Sequence, residues 1–75
     1  MGMKNLPMDC LRSFATVAEL KGFTQAGQML GRTQPAISMQ IKKLEEMVGA
    51  PVFVRGGPQP DLTPTGERML EYAHK

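Results

Sequence analysis

The run Gly31-Arg32-Thr33-Gln34-Pro35 constrains this chain most, because it closes one helical pattern and opens another within a few residues. A glycine after an apolar-periodic stretch stops a helix in the left-handed conformation. Thr33 can then cap the next helix, and Pro35 falls in its first turn, where the missing N–H has no intrahelical acceptor and the fixed φ already suits the helix. Beyond it Ile37, Ile41, Leu44 and Val48 form one stripe that must face a core, and Gly49 supplies the stop. The spacing predicts a helix over 34–48, about 22 Å long at a rise of roughly 1.5 Å per residue.

Upstream, Met8, Leu11, Phe14, Ala15, Val17 and Ala18 recur at helical spacing and predict a first helix, with Asp9 near its start and Gly22, after Lys21, as its stop. Thr24 is a second cap, for a short helix over 25–30 with Ala26, Met29 and Leu30 turned inward. Gly27 inside that helix costs about 1 kcal/mol relative to Ala, so either the helix is weak or, the preferred reading, a close helix crossing leaves no room for a side chain. Downstream, 51–55 is β-rich, Gly56-Gly57-Pro58-Gln59-Pro60 is turn chemistry, and Asp61-Leu62-Thr63 returns as a second short strand. Thr63-Pro64 repeats the cap-then-proline signal and opens a fourth helix through Ala73. Leu11, Phe14, Phe23, Leu30 and Phe53 are expected in the core.

Two helices joined by so short a link, the second longer and amphipathic, have the dimensions of a helix-turn-helix, and the hairpin makes it a winged one. The predicted fold class is therefore mainly α. That geometry alone says little about function, since many helical proteins turn such a corner for packing. Charge adds to it. The net charge is only +2, but no acid stands between Glu19 and Glu45, while Lys21, Arg32, Lys42 and Lys43 all do. A solvated helix face explains any one lysine pair; the acid-free interval favours an anionic partner.

A chain of 75 residues with a single cysteine forms one small domain with no internal disulfide. Domains this short often lean on a partner surface. Cys10 reads as a small buried hydrophobe in a reducing compartment. The seven methionines are dispersed and His74 is the only histidine, so neither a metal site, a catalytic triad nor a cofactor site can be assembled, and no enzyme activity is expected. No apolar run approaches the roughly 20 residues of a membrane span, and no signal peptide is visible, so a cytoplasmic protein is expected.

The run Phe23-Thr24-Gln25-Ala26-Gly27, then Leu30, Thr33-Gln34-Pro35-Ala36-Ile37-Ser38, Gln40-Ile41, Leu44-Glu45, Val48-Gly49, Val52-Phe53-Val54-Arg55 and Leu62-Thr63-Pro64-Thr65-Gly66 resembles the N-terminal domain of LysR-type transcriptional regulators. It spans 8–73, nearly the whole chain. The resemblance implies a winged helix-turn-helix over 8–62 that binds promoter DNA, preceded by an arm or appended residues over 1–7 and followed from 63 by a linker helix. It further implies homodimers or tetramers assembled partly through that helix, for which Met69, Leu70, Tyr72 and Ala73 are the expected association residues. An effector would bind a C-terminal domain outside this chain, and the regulator would sit on the bacterial nucleoid when DNA-bound.

With Ile37, Ile41, Leu44 and Val48 inward, Pro35, Met39, Lys42 and Glu46 define the outward face, flanked by Ser38 and Lys43. A recognition helix presents its N-terminal residues to base edges, so Gln34, Ser38 and Met39 are the expected readers. Thr24, Gln25, Arg32, Thr33, Pro35, Lys42, Lys43 and Arg55 are expected at phosphates, where they position without specifying. Thr24 and Thr33 would serve as caps in any protein, and the two roles are compatible. The sequence departs from the family twice. Met39 stands where arginine is usual, and can touch a thymine methyl but cannot make the bidentate contact to guanine. The hairpin tip lacks basic residues, leaving Arg55 as the only one in the hairpin. A bare tip and a modest charge also suit a winged helix that binds protein through its fourth helix.

Overall fold

Four helices and one hairpin follow the order α1 (Met8–Leu20), α2 (Phe23–Leu30), α3 (Gln34–Val48), β1 (Phe53–Val54), β2 (Asp61–Leu62) and α4 (Pro64–Ala73). The computed structural model describes residues 6–54 and 56–73. α1 packs on α2, α3 and α4, and α2 packs on α3. The core gathers Phe14 and Val17 from α1, Ala26 from α2, Ile37, Ile41 and Leu44 from α3, Val52 and Phe53 from the hairpin, and Met69 from α4. The ring of Phe53 lies 5.3 Å from that of Phe14 and 5.8 Å, edge-on, from that of Phe23, both in the range of favourable aromatic pairs. The hairpin is thereby anchored to the corner between α1 and α2.

α3 has the bounds its cap, proline and stripe predict. Thr33 Oγ1 accepts from the Ala36 N–H at 3.3 Å, and Gly49 closes the helix with φ 83°. α4 opens in the same way, with Thr63 Oγ1 accepting from the Gly66 N–H at 2.9 Å while its hydroxyl donates to the Pro51 carbonyl at 2.7 Å. One threonine thus caps α4 and ties it to the entry of the hairpin.

Elsewhere the structure corrects the sequence reading. α2 begins at Phe23, with the extended Gly22 as its cap and no side-chain cap bond. Thr24 is therefore an exposed first-turn residue, not a cap. The left-handed residue that ends α1 is Lys21, at φ 57°, not Gly22. Met29, expected inward, is 66% exposed, and Met8, the first apolar position of the α1 pattern, is 70% exposed. Each points off the side of its helix that the core covers: Leu30, nearer the end of α2 than Met29, still packs on the core.

The strands are two residues each, paired Phe53 with Leu62 and Val54 with Asp61. Val52 and Thr63 fall outside them, although the Thr63 N–H still donates to the Val52 carbonyl at 3.1 Å. Gly27 does answer a close approach, but by the turn: a Cβ there would lie 2.7 Å from the Arg32 carbonyl oxygen, so no crossing helix is responsible. Burial pushes the Cys10 thiol above its ordinary pKa, with Asp9 adding to the rise and Lys43 opposing it. That fits a small core residue. Among the described residues no helix is long and apolar enough to cross a membrane.

Candidate nucleic-acid interface

The N-terminal half of α3 stands free of the rest of the molecule on its outer side. Gln34, Pro35, Met39, Lys42, Lys43 and Glu46 are exposed, while Ile37, Ile41 and Leu44 on the opposite side are buried. Packing of that apolar stripe on α1 and α2 is what aims the polar face outward. Gln34 Nε2 donates to Ser38 Oγ at 2.8 Å, so two of the three expected base readers are already paired one turn apart. Met39 is 73% exposed and stands beyond them. Arg32 supplies positive charge just before the helix, and Lys42 and Lys43 supply it on the turn after Met39.

Thr24 and Gln25 lie at the start of α2, where the first intrahelical-type bond runs from the Ala26 N–H to the Gly22 carbonyl at 3.2 Å. The N–H groups of Phe23, Thr24 and Gln25 precede it, and such first-turn donors are suited to an anion. The Gln25 carboxamide folds back over Gly22, into space that a Cβ there would fill. Lys21, Thr24 and Gln25 share one open cleft with the hairpin tip, Gly56 to Pro60. The start of α2 and the wing therefore border one cleft, which Ile41 and Glu45 of α3 also line. Arg55 lies outside the described residues.

The fourth helix is another matter. Met69 is fully buried in the core, so it supports α4 from beneath and offers no surface for association. Leu70, Tyr72 and Ala73 are half-buried. Tyr72 and Ala73 line a groove with Leu6, Met8, Leu11, Arg12 and Ala15 of the α1 end.

Two polar side chains and one glycine that hold the site in place were not visible in the sequence. The Ser13 hydroxyl, buried on α1, donates to Gln40 Oε1 on α3 and links the two helices. Glu45 Oε2 accepts from the Val52 N–H at 2.9 Å, joining the far end of α3 to the hairpin. Gly66 lets α4 approach so closely that a Cβ would lie 2.1 Å from the Val52 carbonyl oxygen. Only the polar Ser13 within an apolar helix face could have signalled any of these. Among the described residues, no three His, Cys, Asp or Glu side chains could hold a metal ion.

Residues 8–67 match the family described as bacterial regulatory helix-turn-helix protein, lysR family. The transcriptional regulator DgdR of Burkholderia cepacia is 43% identical over 72 residues, which cover 96% of this chain and 24% of that protein. The chain thus spans about a quarter of the length of such relatives. The DNA-binding domain of BenM, solved in complex with its benA site 1 DNA, superposes with a TM-score of 0.87 at 37% identity, over 91% of this chain and 76% of that one. Vibrio fischeri DarR, also solved with DNA, gives 0.88 at 36% identity, over 93% of this chain and 24% of that one. The length of the match, through both helices of the corner, the hairpin and the start of α4, makes this chain a member of the lysR family of bacterial regulatory helix-turn-helix proteins.

Proposed function

We propose that this chain is the domain through which a bacterial transcriptional regulator binds double-stranded DNA, with α3 in the major groove and the hairpin as a wing. The observation that carries the reading is the outward face of α3, polar, cationic and uncovered, in a fold shared with relatives solved in complex with DNA. Gln34 and Ser38 read base edges from the helix start, and Met39 stands beside them. Arg32, Lys42 and Lys43, with the first turns of α2 and α3 at Thr24, Gln25, Thr33 and Pro35, hold phosphates and fix register. Arg55 adds charge from the wing. A longer chain, carrying an effector domain, pairs into dimers or tetramers partly through the continuation of α4, using Leu70, Tyr72 and Ala73. Such a regulator works in the cytoplasm, on the nucleoid.

Two substitutions separate reading from holding. Gln34→Ala is expected to weaken binding to a selected operator by about 1–3 kcal/mol while leaving random duplex nearly unchanged. Lys42→Ala weakens both alike. Gel-shift or anisotropy titrations at fixed salt measure each; equal losses on both DNAs for Gln34→Ala would remove its base-reading role. A winged helix that binds protein instead would show no salt-dependent affinity for either duplex.

A further inference from the structure

The centre of the exposed face of α3 is apolar. Taking about 100° per residue, Met39 lies within about 20° of the direction opposite the buried Ile37, Ile41 and Leu44. It is 73% exposed, on the second turn of the helix, where a groove-binding helix meets base edges. Its exposed neighbours on that helix are Gln34, Pro35, Lys42 and Lys43, and the face carries no arginine. Gln34 has already committed one amide N–H to Ser38. Hydrogen-bonding capacity at the middle of the face is therefore low, and the largest group there is a flexible thioether.

Apolar atoms gain nothing from base-edge donors or acceptors. In the major groove one group answers them, the C5-methyl of thymine. The lysines on the following turn bring the helix to the phosphates, which presses this apolar tip toward the groove floor. We infer that Met39 is a specificity-determining residue that reads a thymine C5-methyl group, so this regulator prefers a thymine at one defined position of each half-site. The inference rests on the DNA-binding reading above and adds to it the base that the helix centre selects.

The test uses this 75-residue chain and the duplexes it selects from a random pool. Each selected thymine is replaced in turn by deoxyuridine, which removes only the methyl. At one position the native chain should lose about fourfold in affinity, the worth of one buried methyl. Met39→Ala, a substitution at an exposed helical site that preserves the fold, should bind the thymine and deoxyuridine duplexes alike. At the same position, 5-methylcytosine paired with guanine should bind the native chain more tightly than unmodified cytosine does, and Met39→Ala should not distinguish them. The inference is overturned if no position responds to deoxyuridine, if Met39→Ala keeps the native response, or if the methylcytosine comparison shows no gain. In each of those cases salt-dependent binding to the selected duplex would persist. Its absence would instead overturn the DNA-binding reading itself.

Discussion

At the scale of single residues, two glycines set the distances on which the site depends. A glycine in a helix interior ordinarily costs about 1 kcal/mol, so Gly→Ala there should stabilise. Here the sign reverses. A Cβ on Gly66 would meet the Val52 carbonyl oxygen at 2.1 Å and Leu62 Cδ2 at 3.0 Å, and one on Gly27 would meet the Arg32 carbonyl oxygen at 2.7 Å. Backbone oxygens cannot swing aside, so α4 must lift from the hairpin or the turn must move. Each Gly→Ala is expected to destabilise by about 1–3 kcal/mol, read from urea midpoints. Gly27→Ala should also weaken DNA binding under conditions where the protein stays folded, because Arg32 leads directly into the start of α3. A gain in stability from either substitution would contradict the close approach. The sequence disclosed half of this: the propensity cost at Gly27 announced a tight contact, but not that a turn carbonyl made it.

At the scale of elements, the molecule is held in register by polar links between helices that its apolar periodicity had already assembled. Ser13 on α1 and Gln40 on α3 form one such link. Ser13→Ala leaves the Gln40 carbonyl part-buried without its donor, which costs about 1–3 kcal/mol. Adding Gln40→Leu removes the stranded acceptor and should recover part of that loss. A double-mutant cycle by chemical denaturation is expected to give a coupling of about 0.5–3 kcal/mol, and a coupling of zero would show that the pair does not join the helices. These links explain where sequence reading stops. Helix bounds at α3 and α4 were legible because a hydroxyl cap and a proline act within a few residues of each other. The start of α2 was not, because Gly22 caps it without a side-chain signature and the left-handed Lys21 carries a residue type that does not advertise that conformation. Strand ends were overestimated, since β-propensity over 51–55 does not count the ladder bonds a tight hairpin can close. Met69 was placed on an association surface because α4 has two apolar sides, and only the packed fold decides which one it buries.

At the scale of the whole molecule, a net charge of +2 is too small to draw the chain to DNA from a distance. What counts is distribution. Arg32 precedes the start of α3 and Lys42 and Lys43 follow along it, the intervening sequence holds no acid, and Glu45, just beyond, turns its carboxylate to the Val52 N–H. Binding should therefore follow the local count of cations. With three or four phosphates neutralised per domain, the logarithm of the association constant is expected to fall with the logarithm of salt with a slope of about −2.7 to −3.6. Lys42→Ala should make that slope less negative by about 0.9, and Lys43→Ala should do the same if both lysines reach phosphates. Glu46 gives the opposite control: it is the exposed acid on the outward face, so Glu46→Gln should tighten binding at low salt by removing repulsion, with the advantage fading as salt rises. Titrations across a salt series with native and variant chains measure all three. Identical slopes for native and Lys42→Ala would mean that the helix meets DNA on another side, because a lysine at the interface must release a counterion when it binds.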